Sequence, residues 1–390
     1  MSASSRGSKI VHELWEPIAD ADLVASVRKF VAERVAPVAQ QLDEDDVYAT
    51  DIVKDMARKG WNTITLPQAY GGRGERYRSA AAICEEIAYG SAGVAISLIT
   101  IFQAQTMINL FGSDTLKEQV LPRFAQGLIT SYALTEASHG SDIRTLDTKA
   151  VLDGDEWVLN GEKSFITSGS AAEFLVILAE TPKGVSVFAV PRDAKGVDAY
   201  KGENSETFGL RNGPHVNITL ADVRLPRDYL IGEEGKGIRQ AVTTLDYSRT
   251  LAAAISIGIA RAAFDGARDY AMRRKAFDQH IMQFQGIQWY FADMISEIDA
   301  ARLLVYRASD ALDTHENVMR YASEAKLVAS RVATAVASQA VQIGGAYGTM
   351  VNSPFGRYLR DAKTYEIGGG SSEILKNTIG KVLLKNGGQS

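Results

Sequence analysis

The chain has 390 residues, and at about 150 residues per domain it should fold into about two or three domains with large buried cores. Hydrophobic residues make up 46% of the chain and charged residues 23%, a composition that excludes a disordered protein. The formal net charge of −5 excludes a general nucleic-acid binder, because a phosphate backbone attracts basic surfaces. With Cys84 as the only cysteine, an internal disulfide is excluded, and no Cys/His spacing predicts a metal site.

Two features of the sequence bear on location. The longest apolar stretches, 92–102 and 251–260, are shorter than the roughly 18 residues that predict a membrane span. Residues 1–9 lack the apolar core of a signal peptide, and a lone cysteine fits a reducing compartment. We therefore expect a cytoplasmic protein without a membrane span.

The first third of the chain has a helical pattern. Apolar residues recur at helical spacing over residues 20–127, and Asp20 or Asp22 can cap the first helix. Pro67 and the glycine-rich run 71–74 divide this region into separate helices. The pattern predicts an N-terminal helical domain that ends near residue 129.

The pattern changes near residue 131, where short β-type runs alternate with turns. Several short strands without helices between them predict a small antiparallel β domain over residues 130–231. Beyond the loop 232–237 the pattern is helical again, with few breakers before Gly344. The fold class predicted is therefore α+β, with a domain of four helices over residues 232–390.

Five short runs could carry chemistry, although each also has a plain structural interpretation as a loop, hairpin or helix end. In the third run, Arg274 and Phe277 are predicted to share a helix face, where an arginine beside an aromatic ring suits a pyrophosphate next to a ribose. In the fifth run, three glycines precede Ser371, which can cap a final helix and complete an anion site. The five runs are 132–142, 160–169, 273–285, 342–348 and 360–373.

Taken together, the order and spacing of these runs resemble the acyl-CoA dehydrogenase family of FAD flavoproteins over nearly the whole chain. The family patterns A-L-T-E-x-x-x-G-S-D, W/F-I-T, R-K-x-F-G and R-D-A-K are matched at 133–142, 165–167, 274–278 and 360–363, and its glutamine-glycine segment at the run from Gln342. The resemblance implies a middle antiparallel β-barrel domain and a C-terminal four-helix bundle. It also implies a homotetramer or homodimer with FAD at a subunit interface.

The resemblance also assigns site residues by their positions in the motifs. Thr167 would lie beside the flavin N5, and Ser141 would contact either the flavin phosphates or the pantetheine arm of the substrate. A neighbouring subunit would supply Arg274, Phe277 and Gln285 to the pyrophosphate and adenosine half. The full predicted cofactor set is Tyr132, Leu134, Thr135, Gly140, Ser141, Phe165, Thr167, Ser168, Arg274, Phe277, Gln285, Gln342, Gly344, Gly345 and Ser371. The predicted substrate contacts are Phe102, Gln103, Gln105, Ser141, Asp246, Arg249 and Gly369.

The sequence departs from the family at the catalytic base. Family dehydrogenation removes a proton from the acyl chain with a carboxylate. In most members this carboxylate is the glutamate of a Y-E-G-T/S run, whose position here is Gly369, and in a minority it belongs to an L-D-x-E-R run, whose position here is Ser248. Both usual bases are therefore missing. Candidates for a relocated base are Asp246, Tyr247, Glu366 and Glu373.

The resemblance thus implies an FAD-dependent oxidoreductase acting on the CH–CH group of an acyl-CoA or acyl-carrier-protein thioester, with a relocated or absent base. An electron-transfer flavoprotein would then be the electron acceptor. The backbone N–H of Gly369 could still polarise the thioester carbonyl. Three alternatives stay open: elimination from an activated acyl-CoA as in desulfinase-like members, flavin monooxygenation, and a silent FAD-binding paralogue.

Overall fold

The computed structural model describes residues 14–202 and 205–387. Its first part is helical, as predicted. The Asp20 carboxylate accepts a hydrogen bond of 2.9 Å from the Leu23 backbone N–H and caps the first helix. Pro67 and Gly71, the latter at φ +83°, lie in the break before the fourth helix. The helices are α1 (Ala21–Phe30), α2 (Ala39–Asp45), α3 (Thr50–Arg58), α4 (Tyr77–Gly90), α5 (Ala92–Phe111) and α6 (Asp114–Ala125).

The middle part is one sheet. The strands are β1 (Thr130–Ala133), β2 (Lys149–Asp153), β3 (Glu156–Ile166), β4 (Phe174–Thr181), β5 (Gly184–Pro191), β6 (Val197–Tyr200), β7 (Val216–Pro226) and β8 (Leu230–Ile231). Their order is β6-β7-β3-β2-β4-β5-β8, and β1 lies on β4. The expectation of a purely antiparallel sheet is wrong in one respect, because β1 and β2 both meet β4 in the parallel orientation. Strand β3 lies between β2 and β4 in the chain, so neither β1 nor β2 is joined to β4 by a hairpin, and parallel neighbours need such a longer connection.

The C-terminal part is helical. Three long helices, α7 (Gly237–Arg273), α8 (Gln285–Thr314) and α9 (Val318–Gly348), pack together with α10 (Pro354–Tyr365) and α11 (Ser372–Gly387). A small hairpin, β9 (Lys275–Ala276) and β10 (Gln279–His280), joins α7 to α8. The helix α9 contains one non-helical residue, Gly345, at φ +55° and ψ −137°.

The prediction that Arg274 and Phe277 share a helix face is wrong. Helix α7 ends at Arg273, and Arg274 is its extended C-cap residue. Phe277 and Asp278 have φ angles of +51° and +64°. Two consecutive residues with positive φ are what the tight loop of a two-residue hairpin requires, so the chain turns back here instead of continuing the helix.

Helices α5 and α7 are long and apolar enough to cross a membrane by length and composition, although the shorter apolar stretches in the sequence predicted no span. In the fold, 78% of the most apolar window of α5 and 94% of that of α7 are buried against the rest of the protein. The two helices also contact each other. They are core helices of this fold.

A buried ionic network fixes the N-terminal helices against the C-terminal ones. The Arg261 guanidinium of α7 is fully buried and donates to the carboxylates of Glu85 and Glu86 on α4, at 2.5 and 2.9 Å. Arg302 of α8 donates to the same Glu85 at 2.9 Å. Because each buried charge has an opposite partner, the network holds three helices in one relative position.

Candidate active site

A cavity of about 1260 Å³ opens where the β domain meets helices α5, α7 and α11. Small-molecule pockets typically measure about 300–1,000 Å³, so this one has room for a cofactor and a substrate together. Of the predicted site residues, its wall contains Gln103, Tyr132, Leu134, Thr135, Gly140, Ser141, Phe165, Thr167, Ser248, Arg249, Gly369 and Ser371.

One wall of the cavity, the β wall, consists of Tyr132, Leu134 and Thr135 at the end of β1 and residues 165–167 at the end of β3. The register of β3 against β7 shifts between Lys163 and Ile166. Phe165 and Ser168 have φ angles of +58° and +59°, in a region that residues other than glycine rarely occupy. Such strain persists only where surrounding structure enforces it, and it frequently marks a functional site.

A buried ion pair supports the β wall from behind. Lys163 Nζ donates to Glu136 Oε1 at 2.6 Å and to the Leu134 carbonyl at 3.2 Å. The Glu136 carboxylate also accepts from the backbone N–H groups of Asp147 and Thr148. Burial alone would raise the pKa of Glu136, but Lys163 and the Thr148 donor hold it below its usual value, whereas burial lowers the pKa of Lys163 to about 8. The pair therefore joins β3 to the segment that carries Leu134 and Thr135.

Thr167 has a partner that the sequence did not indicate. Its hydroxyl oxygen lies 2.8 Å from His215 Nε2, and both residues line the cavity. The Thr167 carbonyl accepts a hydrogen bond of 2.6 Å from the Ser131 hydroxyl. Burial lowers the pKa of His215 to about 4, so the imidazole is neutral at pH 7. No motif surrounds His215, which precedes β7 and lies 48 positions beyond Thr167.

Helix α5 presents one face to the cavity, and only part of the prediction for this helix agrees with it. Ile96, Ile99, Thr100 and Gln103 line the cavity at the spacing of a single helix face. Phe102 and Gln105 lie on other sides of α5, both buried, and the Gln105 amide donates to the Asn62 carbonyl at 2.6 Å. The expectation that Phe102 and Gln105 contact substrate is therefore corrected, because the helical period turns them into the core.

The cavity is also lined by a segment of three glycines, 368–370, which we call the glycine segment. Arg249 Nε donates to the Gly369 carbonyl at 3.1 Å, and Lys326 Nζ donates to the Gly370 carbonyl at 2.6 Å. Gly369 and Gly370 have φ angles of +74° and +109°. A Cβ at Gly369 would meet no atom within 4 Å, so the space of an absent side chain is open.

The candidates for a relocated base do not line the cavity. Asp246 is buried and accepts from Arg249 Nη1 at 3.0 Å, and burial raises its pKa to about 6. The Tyr247 ring packs edge-on against Tyr77, with 5.1 Å between ring centroids. Glu366 bonds to the Lys363 ammonium, and neither it nor Glu373 contributes to the wall. Among the described residues of the wall, the one carboxylate is Glu206, an exposed residue 3.2 Å from Lys201 Nζ.

The other predicted cofactor residues lie outside the cavity of this single chain. Arg274, Phe277 and Gln285 are exposed at the β9–β10 hairpin and the start of α8, and the Phe277 side chain is 90% exposed. Gln342 and Gly345 are exposed near the end of α9, whereas Ser168 and Gly344 are buried. The assignment of these residues to a cofactor therefore stays a prediction that needs a neighbouring subunit.

The same three-part organisation is found in known proteins. The N-terminal, middle and C-terminal domain models of acyl-CoA dehydrogenases match residues 19–128, 131–223 and 235–384. A short-chain-specific acyl-CoA dehydrogenase of Clostridium acetobutylicum is 38% identical over 366 residues, which cover 92% of this chain and 96% of that protein. The chain belongs to the acyl-CoA dehydrogenase family. The predicted α+β fold class and the enzymatic nature of the protein are thereby confirmed.

Solved structures agree with this assignment. Butyryl-CoA dehydrogenase from Megasphaera elsdenii superimposes with a TM-score of 0.90 at 32% identity, covering 93% of this chain and 97% of that one. A glutaryl-CoA dehydrogenase from Mycobacterium smegmatis, determined in complex with FADH2, gives a TM-score of 0.88 at 27% identity, covering 94% and 95%.

Proposed function

We propose that this member of the acyl-CoA dehydrogenase family oxidises the CH–CH bond of an acyl thioester with FAD as its cofactor, and that no carboxylate of its own serves as the base. The observation that carries this proposal is the contrast inside the cavity: the β wall offers apolar and hydroxyl side chains, whereas the glycine segment offers only backbone groups. The acyl group is carried by coenzyme A or by an acyl carrier protein.

The β wall fits a flavin ring. It alternates apolar side chains, Leu134 and Phe165, with the hydroxyls of Thr135 and Thr167, which suits a flat ring with polar edges. The buried hydroxyl of Tyr132 has no partner among the described residues, so a polar edge of a ligand could satisfy it. When bound, FAD supplies a two-electron acceptor for the hydrogen that leaves the acyl β-carbon with its electron pair.

The other side of the cavity fits an acyl thioester. Apolar side chains of α5 and α7 form a channel for the acyl chain, with Ile96, Ile99, Val242 and Leu245 in its wall. Arg249 and Lys326 bind the carbonyls of Gly369 and Gly370. The Gly368 N–H donates to the Thr364 carbonyl at 3.0 Å, but within the described residues the N–H groups of Gly369 and Gly370 have no recorded acceptor and could donate to a thioester oxygen. The glycine segment would thus stabilise developing charge on the oxygen without taking the α-proton.

Without a catalytic base, either the turnover rate or the choice of substrate should be affected. Losing a general base typically costs about 10²- to 10⁴-fold. The α-proton must pass to water or to a group on the substrate itself, so we expect either slow turnover or a substrate with an unusually acidic α-carbon. The glycine segment also suits a second candidate function, in which an activated acyl-CoA loses a leaving group and the flavin stays oxidised.

Further parts of the proposal concern partners and location. The exposed hairpin with Arg274 and Phe277 would complete the cofactor site of a neighbouring subunit in a homotetramer or homodimer. An electron-transfer flavoprotein would reoxidise the flavin, and the protein would act in the cytoplasm.

Anaerobic mixing tests the proposed function. The purified yellow protein is mixed with saturated, branched, aromatic and sulfinate-bearing acyl-CoAs while visible absorption and acyl products are followed. Bleaching with an enoyl product supports the dehydrogenase, and a changed product with persistent oxidised flavin supports elimination. If no acyl-CoA bleaches the flavin or gives a product, thioesters of an acyl carrier protein are tested next. Rapid reoxidation of chemically reduced flavin by air would instead support a monooxygenase, and a protein unable to bind FAD would overturn every enzymatic version.

Two variants restore a base at the two usual positions. Ser248 lies in a regular helix and lines the cavity, so Ser248→Glu introduces a carboxylate without backbone strain. Gly369→Glu places it in the open space of the glycine segment, but at a φ that costs a side chain about 1–2 kcal/mol. We expect about 10²-fold faster anaerobic flavin reduction from at least one of them. The matched controls Ser248→Gln and Gly369→Gln add the same bulk and should stay slow.

A further inference from the structure

The hydrogen bond between Thr167 and His215 uses one nitrogen of the imidazole and leaves the other without a partner. Within the described residues, His215 Nε2 is the one hydrogen-bond partner of the Thr167 hydroxyl, and His215 Nδ1 is buried without a partner. The His215 backbone N–H donates to the Ser205 carbonyl at 3.1 Å, which fixes the histidine at the entrance to β7. The imidazole therefore has one polar contact, and that contact leads to the cavity.

A neutral imidazole can make this contact in two ways. If Nδ1 carries the proton, Nε2 accepts from the Thr167 hydroxyl and a buried N–H donor is left unsatisfied. If Nε2 carries the proton, it donates to Thr167 Oγ1, and the hydroxyl hydrogen is free to point elsewhere. The second tautomer leaves only a bare lone pair at Nδ1. We favour it because an unpaired N–H is the rarer of the two kinds of buried orphan.

The surroundings of the histidine keep it in the neutral form. Desolvation is the cause of its low pKa, with no charged neighbour shifting it. The carboxylate of Glu206, the one carboxylate among the described residues of the cavity wall, is exposed and paired with Lys201. The hydrogen-bond direction at Thr167 is therefore set by the tautomer and not by a change of charge.

We propose that His215 is a positioning residue that holds the Thr167 hydroxyl as a hydrogen-bond donor towards the cavity and thereby makes the bound flavin harder to reduce. This inference rests on the proposed function, which seats the flavin ring against Thr167. An oxidised flavin presents a bare ring nitrogen at its reactive edge, and the two-electron reduced ring carries an N–H there. A fixed donor stabilises the oxidised form, whereas the reduced form would need the hydroxyl to turn round against His215.

The test is the two-electron midpoint potential of the FAD-loaded protein, measured together with its visible spectrum. His215→Phe keeps an aromatic ring but removes the donor to Thr167, and Thr167→Val removes the hydroxyl itself. We expect each to shift the equilibrium about tenfold towards the reduced flavin, which is about 30 mV upward for a two-electron couple. The double variant should give the same potential as either single variant, because His215 acts only through Thr167.

Conservative variants separate positioning from packing. The amide nitrogen of His215→Gln can replace Nε2 and should keep the potential near that of the wild type, whereas His215→Asn is too short to reach Thr167 and should behave like His215→Phe. His315→Gln, at an exposed histidine that ends α8, should leave the potential unchanged.

Failure of the inference and failure of the proposed function have different signatures. If the wild-type protein binds no FAD, the proposed function is overturned, and the inference with it. If it binds FAD but His215→Phe and His215→Asn leave the potential unchanged, or if the double variant adds the two single shifts, only the inference is overturned. If His215→Phe does not bind FAD, the midpoint potentials of His215→Gln and His215→Asn test the inference instead. Equal potentials for these two variants would contradict the inference.

Discussion

The two walls of the cavity differ in what they are made of. The β wall is built from side chains that a buried ion pair and a histidine hold in place, whereas the glycine segment is built from backbone whose carbonyls accept hydrogen bonds from Arg249 and Lys326. In the proposed function, the first wall would bind and orient a flavin. In the same proposal, the second would bind a thioester through its backbone without supplying a carboxylate to remove the proton. On this proposal, cofactor binding and proton removal depend on different walls of the cavity and can be changed separately.

The largest effect is expected from breaking the support of the β wall. Lys163→Met leaves the carboxylate of Glu136 buried without its ammonium partner, which typically costs about 3–5 kcal/mol of unfolding free energy. We expect this loss in urea unfolding, together with weaker FAD binding. The double variant Lys163→Met/Glu136→Leu should recover much of the stability, since no charge is then left unpaired. Equal losses for the single and double variants would contradict this account.

The next effect is a pH dependence of stability that arises from Lys326, the lysine that donates to the glycine segment. Burial lowers the pKa of Lys326 to about 7, from an ordinary value near 10.5. Between these values the unfolded chain binds more protons than the folded one, so the Lys326 contribution to stability rises with pH from about 7 to 10.5. Lys326→Met lacks this group. The unfolding free energy of the wild type minus that of the variant should therefore increase by up to about 1.4 kcal/mol per pH unit in this window.

Urea unfolding of both proteins at pH 7, 8, 9 and 10 measures this difference, and taking the difference cancels the other titrating groups. A value that stays constant with pH would mean that the Lys326 ammonium is charged throughout in the folded protein.

The smallest effect is expected from glycine-to-alanine substitutions. They test whether the glycine segment needs glycine for its backbone conformation or for lack of space around a side chain. Gly369→Ala meets no neighbouring atom but must adopt φ +74°, so it should lower the unfolding free energy by about 1–2 kcal/mol. Gly380→Ala also meets no atom, but it lies in the regular helix α11 and should raise it by about 0.5–1 kcal/mol. Opposite signs in thermal unfolding support a glycine-specific backbone in the second wall, and a stabilising Gly369→Ala would contradict it.

The sequence by itself was sufficient for the family, the order of helical and β parts and one side of the site. The residues 132–135 and 165–167 are contiguous in motifs, and contiguous residues on one strand end stay together whatever the packing elsewhere. The prediction that Gly369 and Ser248 occupy the two usual base positions also comes from the sequence, since each position is defined by its immediate neighbours in the chain.

Only the tertiary structure decided which distant residues meet. Gln103 faces the cavity and Gln105 does not, because the direction of α5 within the core selects one helix face. His215 reaches Thr167 through the registry of β7 with β3, and Lys326 reaches Gly370 through the packing of α9 under the glycine segment. Such contacts depend on the relative placement of whole elements, which burial of apolar surface determines and which no local spacing records.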